Sequence, residues 1–294
     1  MAPSPLLVSR PDGRVLAVDD VGDPAGGPVL YLHGTPDSRL SRHPDDAVTA
    51  AAGVRLLAVD RPGIGRSTAH PGRTLGSVAD DLAAVLDAAG VARAAVLAWS
   101  AGAPFAVALA ARHPGRVSAL GLVAPLVPIT AYADTAVSAA AGPGRQLFAE
   151  MAAEMAPEVV AAEVAPYLLA DPATPEAVAE QMAAEADPAR AGEVAGLPGG
   201  GAHLVAAAVE AVALGRDGLA EEVATQAAVP DADLAAAAGA GPAFVWSGAV
   251  DEVSPPAFGR WWADLLGAEH VVLPDAGHAL ALPRWPALLT RLVG

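Results

Sequence analysis

Ser100 ends an apolar run and begins a helix of small residues. The segment AVLAWSAGAPFAVALA spans residues 95–110. A serine at such a strand-to-helix turn stands above the sheet, because the tight turn leaves no room for bulk around it. The pattern is small-x-Ser-x-small, here Ala98-Trp99-Ser100-Ala101-Gly102, with alanine in the first place instead of the usual glycine. A serine hydroxyl is a poor nucleophile until a base takes its proton. His278 follows the last strand-like run, in DAGHALALPRWP (275–286), and precedes a C-terminal helix. The imidazole needs a carboxylate to hold its tautomer and to stabilise its charged form. Asp251, in VWSGAVDEVSPP (245–256), sits in a loop directly after a strand. The chain order is therefore Ser, Asp, His, with each residue at a strand end. Glu252 is the spare neighbouring carboxylate, and Asp275 lies too close in sequence to His278 to be the favoured orienting acid.

Acyl transfer at Ser100 also needs two N–H donors aimed where negative charge develops. The backbone N–H of Ala101, at the start of the helix, is one candidate. The loop after VLYLHG supplies the other, with Thr35 the best placed and His33 and Gly34 shaping the loop. His33, at a strand end beside Gly-Thr-Pro, reads as scaffolding and not as the base.

The positioning elements follow from the hydrophobic pattern. Residues 14–22, 28–34, 54–60, 93–100 and 116–125 read as strands. Residues 77–90 and 101–115 repeat apolar side chains at helical spacing and stop at glycine or Pro-Gly. Continuous apolar strands alternating with helices imply a mostly parallel sheet covered on both faces. From about 128 to 235 the strands vanish. That segment is rich in Ala and Glu, with helix-like stretches near 155–169, 173–186 and 202–224. Strand rhythm returns at 242–248 and 269–277, followed by helices over 256–266 and 284–292. An all-helical insert in an α/β sheet reads as a lid or cap, giving a core of 1–127 and 236–294 and a cap of 128–235. Trp99, Phe148, Met151, Met155, Tyr167, Leu168 and Met182 are the large apolar candidates for an enclosed, mostly apolar pocket.

Composition narrows the partners. The formal charge is -16, a field that repels nucleic acid backbones and anionic lipid heads. There is no cysteine, which excludes disulfides, thiolate nucleophiles and Cys-ligated zinc. The N-terminus lacks the basic stretch and apolar run of a secretory signal, and no window has the length of a membrane span. The expectation is a cytoplasmic protein with a small-molecule substrate, without nucleic acid or membrane insertion; the charge balance carries no information on oligomeric state.

The chain resembles the α/β-hydrolase superfamily over nearly all of its length, through HGTP (33–36), DRPGIGRS (60–67), WSAG (99–102), SGAVDEVSPP (247–256) and AGHALAL (276–282). The resemblance implies a mostly parallel eight-stranded sheet flanked by helices, with an inserted helical cap. It implies Ser100 as nucleophile, Asp251 as acid, His278 as base, and Thr35 and Ala101 as oxyanion donors. It makes Asp60 and Arg61 architectural. The set is similar to the capped branch with proline iminopeptidases, small carboxylesterases and lactone hydrolases. Epoxide hydrolases and haloalkane dehalogenases need a carboxylate where Ser100 stands. The expected activity is hydrolysis of an ester or lactone of a small, mostly apolar substrate through an acyl-enzyme, with no metal or organic cofactor. Aminopeptidase, thioesterase and peroxidase-like chemistries use the same triad. Cyclisation, epimerisation and C–C cleavage are further alternatives, as is a non-catalytic ligand-binding member of the fold.

Overall fold

The computed structural model describes residues 5–185, 188–197 and 199–294. The chain runs β1 (Leu6–Ser9), β2 (Val15–Gly22), β3 (Gly27–Leu32), α1 (Asp46–Ala51), β4 (Val54–Val59), α2 (Leu75–Ala88), β5 (Ala94–Trp99), α3 (Ala103–Arg112) and β6 (Val117–Val123). Seven helices follow: α4 (Thr135–Ala140), α5 (Pro143–Glu154), α6 (Pro157–Val164), α7 (Pro175–Glu185), α8 (Pro188–Ala195), α9 (Gly200–Ala211) and α10 (Asp217–Ala227). The chain then returns to the sheet with β7 (Ala243–Gly248), α11 (Pro256–Leu266), β8 (Glu269–Leu273) and α12 (Trp285–Val293).

The eight strands form one sheet in the order β1-β2-β4-β3-β5-β6-β7-β8. β2 is antiparallel to both neighbours, and β4 through β8 run parallel. Alternation sends successive side chains to opposite faces. Leu30 and Leu32 of β3 join one core with α2, α3 and α11, while Val29 and Tyr31 join the other with α12. Both faces are covered, which is why these strands read as unbroken apolar runs. Trp285 closes the second core. Its ring meets Tyr31 edge-on at 5.2 Å, and its Nε1–H donates to Thr49 Oγ1 at 3.0 Å.

Register places the loops that matter. Leu32 pairs with Ala98, Trp99 with Val123, Val123 with Trp246, and Gly248 with Leu273. The carboxyl ends of β3, β5, β6, β7 and β8 therefore lie along one edge. β4 lies on one side of β3 and β5 on the other, so the connections diverge there and leave a crevice above the strand ends.

Several elements differ from their sequence-based expectation. β1 is a four-residue edge strand in which only Val8 is buried, too short for the alternation to register. α1 was likewise not expected. α5 begins at Pro143, ahead of the expected helix at 155–169, and buries none of its residues, so it carries no apolar stripe to recognise. The expected helix over 202–224 is two, α9 and α10, separated by the turn containing Gly215. Among the described residues, no helix is long and apolar enough to cross a membrane.

Candidate active site

β5 leaves the sheet at Trp99, and Ser100 adopts φ 53°, in the left-handed region. That bend turns the chain into a 3-10 turn, Ser100–Gly102, and then into α3. The turn is crowded on both sides. A Cβ on Gly102 would stand 2.7 Å from the Leu32 carbonyl oxygen, and one on Gly34 would stand 3.2 Å from Ser100 Cβ. The small residues around the serine follow from this close approach of the β3 loop. Ala98, the departure from glycine, fits without exposure.

Ser100 Oγ lies 3.0 Å from His278 Nε2, and His278 Nδ1 lies 2.8 Å from Asp251 Oδ2. All three residues are buried. The Asp251 loop fixes its own carboxylate. Oδ1 accepts the N–H groups of Val253 and Ser254, each at 2.9 Å, leaving Oδ2 to the ring. Ser254 Oγ donates to the Pro125 carbonyl at 2.6 Å, tying this loop to the chain leaving β6. A carboxylate on Nδ1–H selects the tautomer whose Nε2 can accept a hydroxyl proton. Trp99 Nε1–H donates to the His278 carbonyl at 2.9 Å, so the residue before the serine also holds the histidine loop. Glu252 and Asp275 are exposed and make no bond to His278.

The loop carrying Thr35 is held from the insert. Thr35 Oγ1 donates to Glu222 Oε1 at 3.0 Å and accepts from Arg61 Nη2 at 3.2 Å. Arg61 Nη2 also donates to the Gly34 carbonyl at 3.1 Å, and Nη1 donates to that of His33. Glu222, on α10, bridges Arg61 and Arg73, each at 2.6 Å, and the three side chains are fully buried. Burial alone would raise the Glu222 pKa, but the two guanidinium groups outweigh it and hold the carboxyl at about 2. His33 Nδ1–H donates to the Gly34 carbonyl at 2.7 Å, and its Nε2 accepts the Arg61 N–H at 3.4 Å. Burial and the Arg61 charge push His33 well below the ordinary imidazole range, so it is a neutral brace for the loop. Asp60 accepts the N–H groups of Arg39 and Arg66 at 2.7 and 3.0 Å. Ala101 is buried at the second position of the 3-10 turn, where a backbone N–H has no partner within the turn.

A cavity of about 230 Å³ opens over Ser100. The core contributes Gly34, Thr35, Pro36, Asp37, Trp99, Ser100, Val253 and His278, and the insert contributes Arg145, Tyr167, Leu168, Leu169, Gln181, Met182, Glu185 and Ala208. A second cavity of about 390 Å³ shares Thr35, Arg145, Leu168 and Val253 and adds Phe148, Val164, Val223, Gln226 and Glu252. Both linings are mainly apolar, with Arg145 of α5 and Gln181 and Glu185 of α7 adding charged and amide groups to the first. Trp99, Tyr167 and Met182 line the first cavity and Phe148 the second. Tyr167 is largely exposed at the rim. Met151 packs instead in the cluster around Val160 and Val223, and Met155, just past the last turn of α5, is exposed. The structure does not bring these two methionines to either cavity.

Three side chains at the site were not singled out from the sequence. Arg145 lines both cavities. Glu193 of α8 accepts the N–H groups of Gly277 and Ala279 at 2.8 and 2.9 Å, one on each carboxylate oxygen, and so clasps the backbone on both sides of His278. Glu222 anchors Thr35. Only Glu222 left a sequence signal: it lies three residues from Leu219 and beside Val223, on the stripe of α10 that faces inward.

A sequence model of the alpha/beta hydrolase fold matches residues 27–284. Epoxide hydrolase B of Mycobacterium tuberculosis is 35% identical over 119 residues, which is 39% of this chain and 33% of that protein. The chain thus aligns with about a third of the length of that curated relative. Among solved structures, an alpha/beta hydrolase fold protein from Nakamurella multipartita superimposes with a TM-score of 0.63 at 29% identity, covering 99% of each chain. A thermophilic esterase from Thermogutta terrifontis superimposes with a TM-score of 0.60 at 25% identity, covering 99% of this chain and 96% of that one. With a family match across most of its length and relatives that share its whole architecture, this chain belongs to the α/β-hydrolase fold family.

Proposed function

We propose that the protein is a serine hydrolase that cleaves an ester or lactone of a small substrate through an acyl-enzyme at Ser100. The observation that carries this reading is the hydrogen-bonded chain Ser100 Oγ, His278, Asp251, at 3.0 and 2.8 Å, with the serine on a left-handed turn at a strand end. In the proposed cycle, Ser100 Oγ attacks the carbonyl carbon as His278 Nε2 takes its proton. The Asp251 carboxylate stabilises the imidazolium. The oxyanion rests against the backbone N–H groups of Thr35 and Ala101. His278 returns the proton to the departing alkoxide, then activates water to release the acid and restore Ser100. Helices α5, α7 and α9, which line the cavity, would exclude bulk water and select the substrate. We further propose that residues 128–235 act as a cap over the site. Epoxide hydrolase similarity does not favour epoxide opening here, because the residue at the turn is a serine and not a carboxylate.

A fluorophosphonate probe tests the reading. Ser100 should be labelled, and Ser100→Ala should abolish both labelling and ester turnover. Asp251→Asn should keep the fold and reduce turnover by roughly 10⁴-fold, the scale of the same change in serine proteases. Labelling that mapped to Ser67 or Ser247, or survived in Ser100→Ala, would overturn it.

A further inference from the structure

Among the described residues, the cavity over Ser100 is lined by an arginine, Arg145, whose side chain makes no hydrogen bond or ion pair. Arg145 sits in the first turn of α5, is half-buried, and lines both the cavity over Ser100 and the second cavity that shares Thr35 and Val253 with it. Among the described residues it has no hydrogen-bonded or ion-paired side-chain partner. The contrast with the other buried or half-buried arginines is sharp. Arg39 engages Asp19, Asp60 and Glu210; Arg61 and Arg73 share Glu222; Arg42 pairs with Asp19 and Asp46. In a chain with 33 acidic and 17 basic residues, a shielded guanidinium without a carboxylate is out of keeping with the composition.

Removing a guanidinium from water without a partner is unfavourable. Burial lowers the Arg145 pKa, and the attractions of Tyr132 and of Asp251 offset this only in part. The arginine nonetheless stays protonated at neutral pH, since even a lowered guanidinium pKa lies far above it. α5 also begins here at Gly142 without a side-chain cap, so its positive end adds to the same field. The fork of donors suits a planar two-oxygen acceptor. Asp37 and Glu185 line only the first cavity, whereas Arg145 also faces the second, which is otherwise mainly apolar apart from Gln226 and the exposed Glu252.

We propose that Arg145 binds a carboxylate carried by the substrate, so that the ester or lactone cleaved at Ser100 is the half-ester of a dicarboxylic acid or a carboxylated lactone. This rests on the hydrolase reading above. Hydrolysis of such a half-ester consumes one water and yields the dicarboxylate and an alcohol. The carboxylate held by Arg145 takes no part in bond breaking; it fixes the carbonyl relative to Ser100. The negative field of the whole chain does not oppose this, because it is screened over roughly 10 Å at ordinary ionic strength while Arg145 acts at contact.

The test uses monomethyl succinate, monomethyl glutarate and monomethyl adipate against methyl pentanoate, with proton release followed by pH-stat. For at least one half-ester, wild-type kcat/KM should exceed that for the uncharged ester by about 30-fold, the scale of one charge-assisted pair. The difference should lie mainly in KM. Arg145→Gln should collapse the ratio towards one, and Arg145→Lys should restore part of it. Free glutarate should raise the Tm of Ser100→Ala protein, and this rise should vanish in the Ser100→Ala, Arg145→Gln double variant. A wild-type preference for methyl pentanoate, or a ratio untouched by Arg145→Gln, would overturn the proposal. Fluorophosphonate labelling separates the two readings. If Ser100 is not labelled, the hydrolase reading fails, and glutarate binding to Ser100→Ala protein still decides whether Arg145 holds an anion.

Discussion

Helices α5 and α10 belong to the same insert, are alike in length and are both rich in alanine and glutamate, yet they are held in opposite ways. α10 buries Leu219, Glu222, Val223, Thr225 and Ala227, and through Glu222 it reaches Arg61, Arg73 and Thr35. α5 buries nothing and presents Arg145 to the cavities. The difference shows how one insert can serve two ends. If the Thr35 loop supplies an oxyanion donor, as proposed, the helix that braces it must be immobile, since a donor misplaced by a fraction of an ångström loses its effect on a developing charge. A helix that lines the proposed substrate space can be held lightly and can vary in what it offers a ligand. Local instability is tolerated where binding residues reside.

The strongest way to break this contrast is Glu222→Gln. It leaves two fully buried guanidinium groups without a counter-charge and should destabilise the protein by about 4 kcal/mol, read as a fall in urea midpoint. The pH dependence should change with it. The unfolded carboxyl takes up its proton near 4.5 and the folded one at about 2, so its stabilisation is complete above 4.5 and is lost as pH falls from 4.5 towards 2. His33 acts in a higher window: the folded chain accepts its proton well below 6.5, so stability also declines as pH drops through and below 6.5. A melting series from pH 7 to pH 3 should show both declines in the wild type and a smaller acid decline in Glu222→Gln, where Asp12 and Asp80 still hold lowered carboxyls. Unchanged profiles would mean that α10 is not anchored by charge.

A second substitution tests whether α10 is anchored by contact as well. Its Gly218 meets Gly63 of the β4–α2 loop so closely that a Cβ on Gly218 would overlap the Gly63 carbonyl. Gly218→Ala should lower stability by about 2 kcal/mol and should weaken ester turnover through the displaced Thr35 loop. Denaturant unfolding and kcat together measure it. The counterpart on α5 is Gly144, where a Cβ would meet nothing within 4 Å. Gly144→Ala should therefore raise stability slightly, by about 0.5 kcal/mol, because it removes backbone freedom from the unfolded chain. Equal losses at Gly144 and Gly218 would erase the distinction between the two helices.

The strands and helices of the core could be read from the chain because each is specified locally. Unbroken apolar runs such as 56–59 and 94–99 make doubly covered parallel strands whatever lies far away. The positions of Ser100, Asp251 and His278 at strand ends were legible for the same reason: each follows a run of residues that ends abruptly. The family motifs around them added the topology. What brings the three within hydrogen-bond reach is register, in which β5, β6, β7 and β8 end along one edge, and register is a property of paired strands and not of any one segment.

The insert could be recognised as helical, because alanine and glutamate favour helix wherever they are placed. Its helix boundaries and its inward residues could not be recovered in the same way. Small alanines leave a weak apolar stripe, so the sequence does not mark α5, and 202–224 reads as continuous across the turn at Gly215. Arg61 meets Glu222 across 161 positions, and Gly277 meets Glu193 across 84. Glu193 has nothing near it in sequence to distinguish it from a solvated charge, and the inward stripe of α10 marks Glu222 as buried without naming its partners. Arg145 is hidden for the converse reason: among the described residues it has no side-chain partner in a half-buried place, and that exists only once α5 lines the cavity over Ser100. Local composition therefore determined which segments are strand or helix and which residues stand at strand ends, while the folded structure alone decided which distant charges meet and that Arg145, unpaired among the described residues, faces the proposed substrate space.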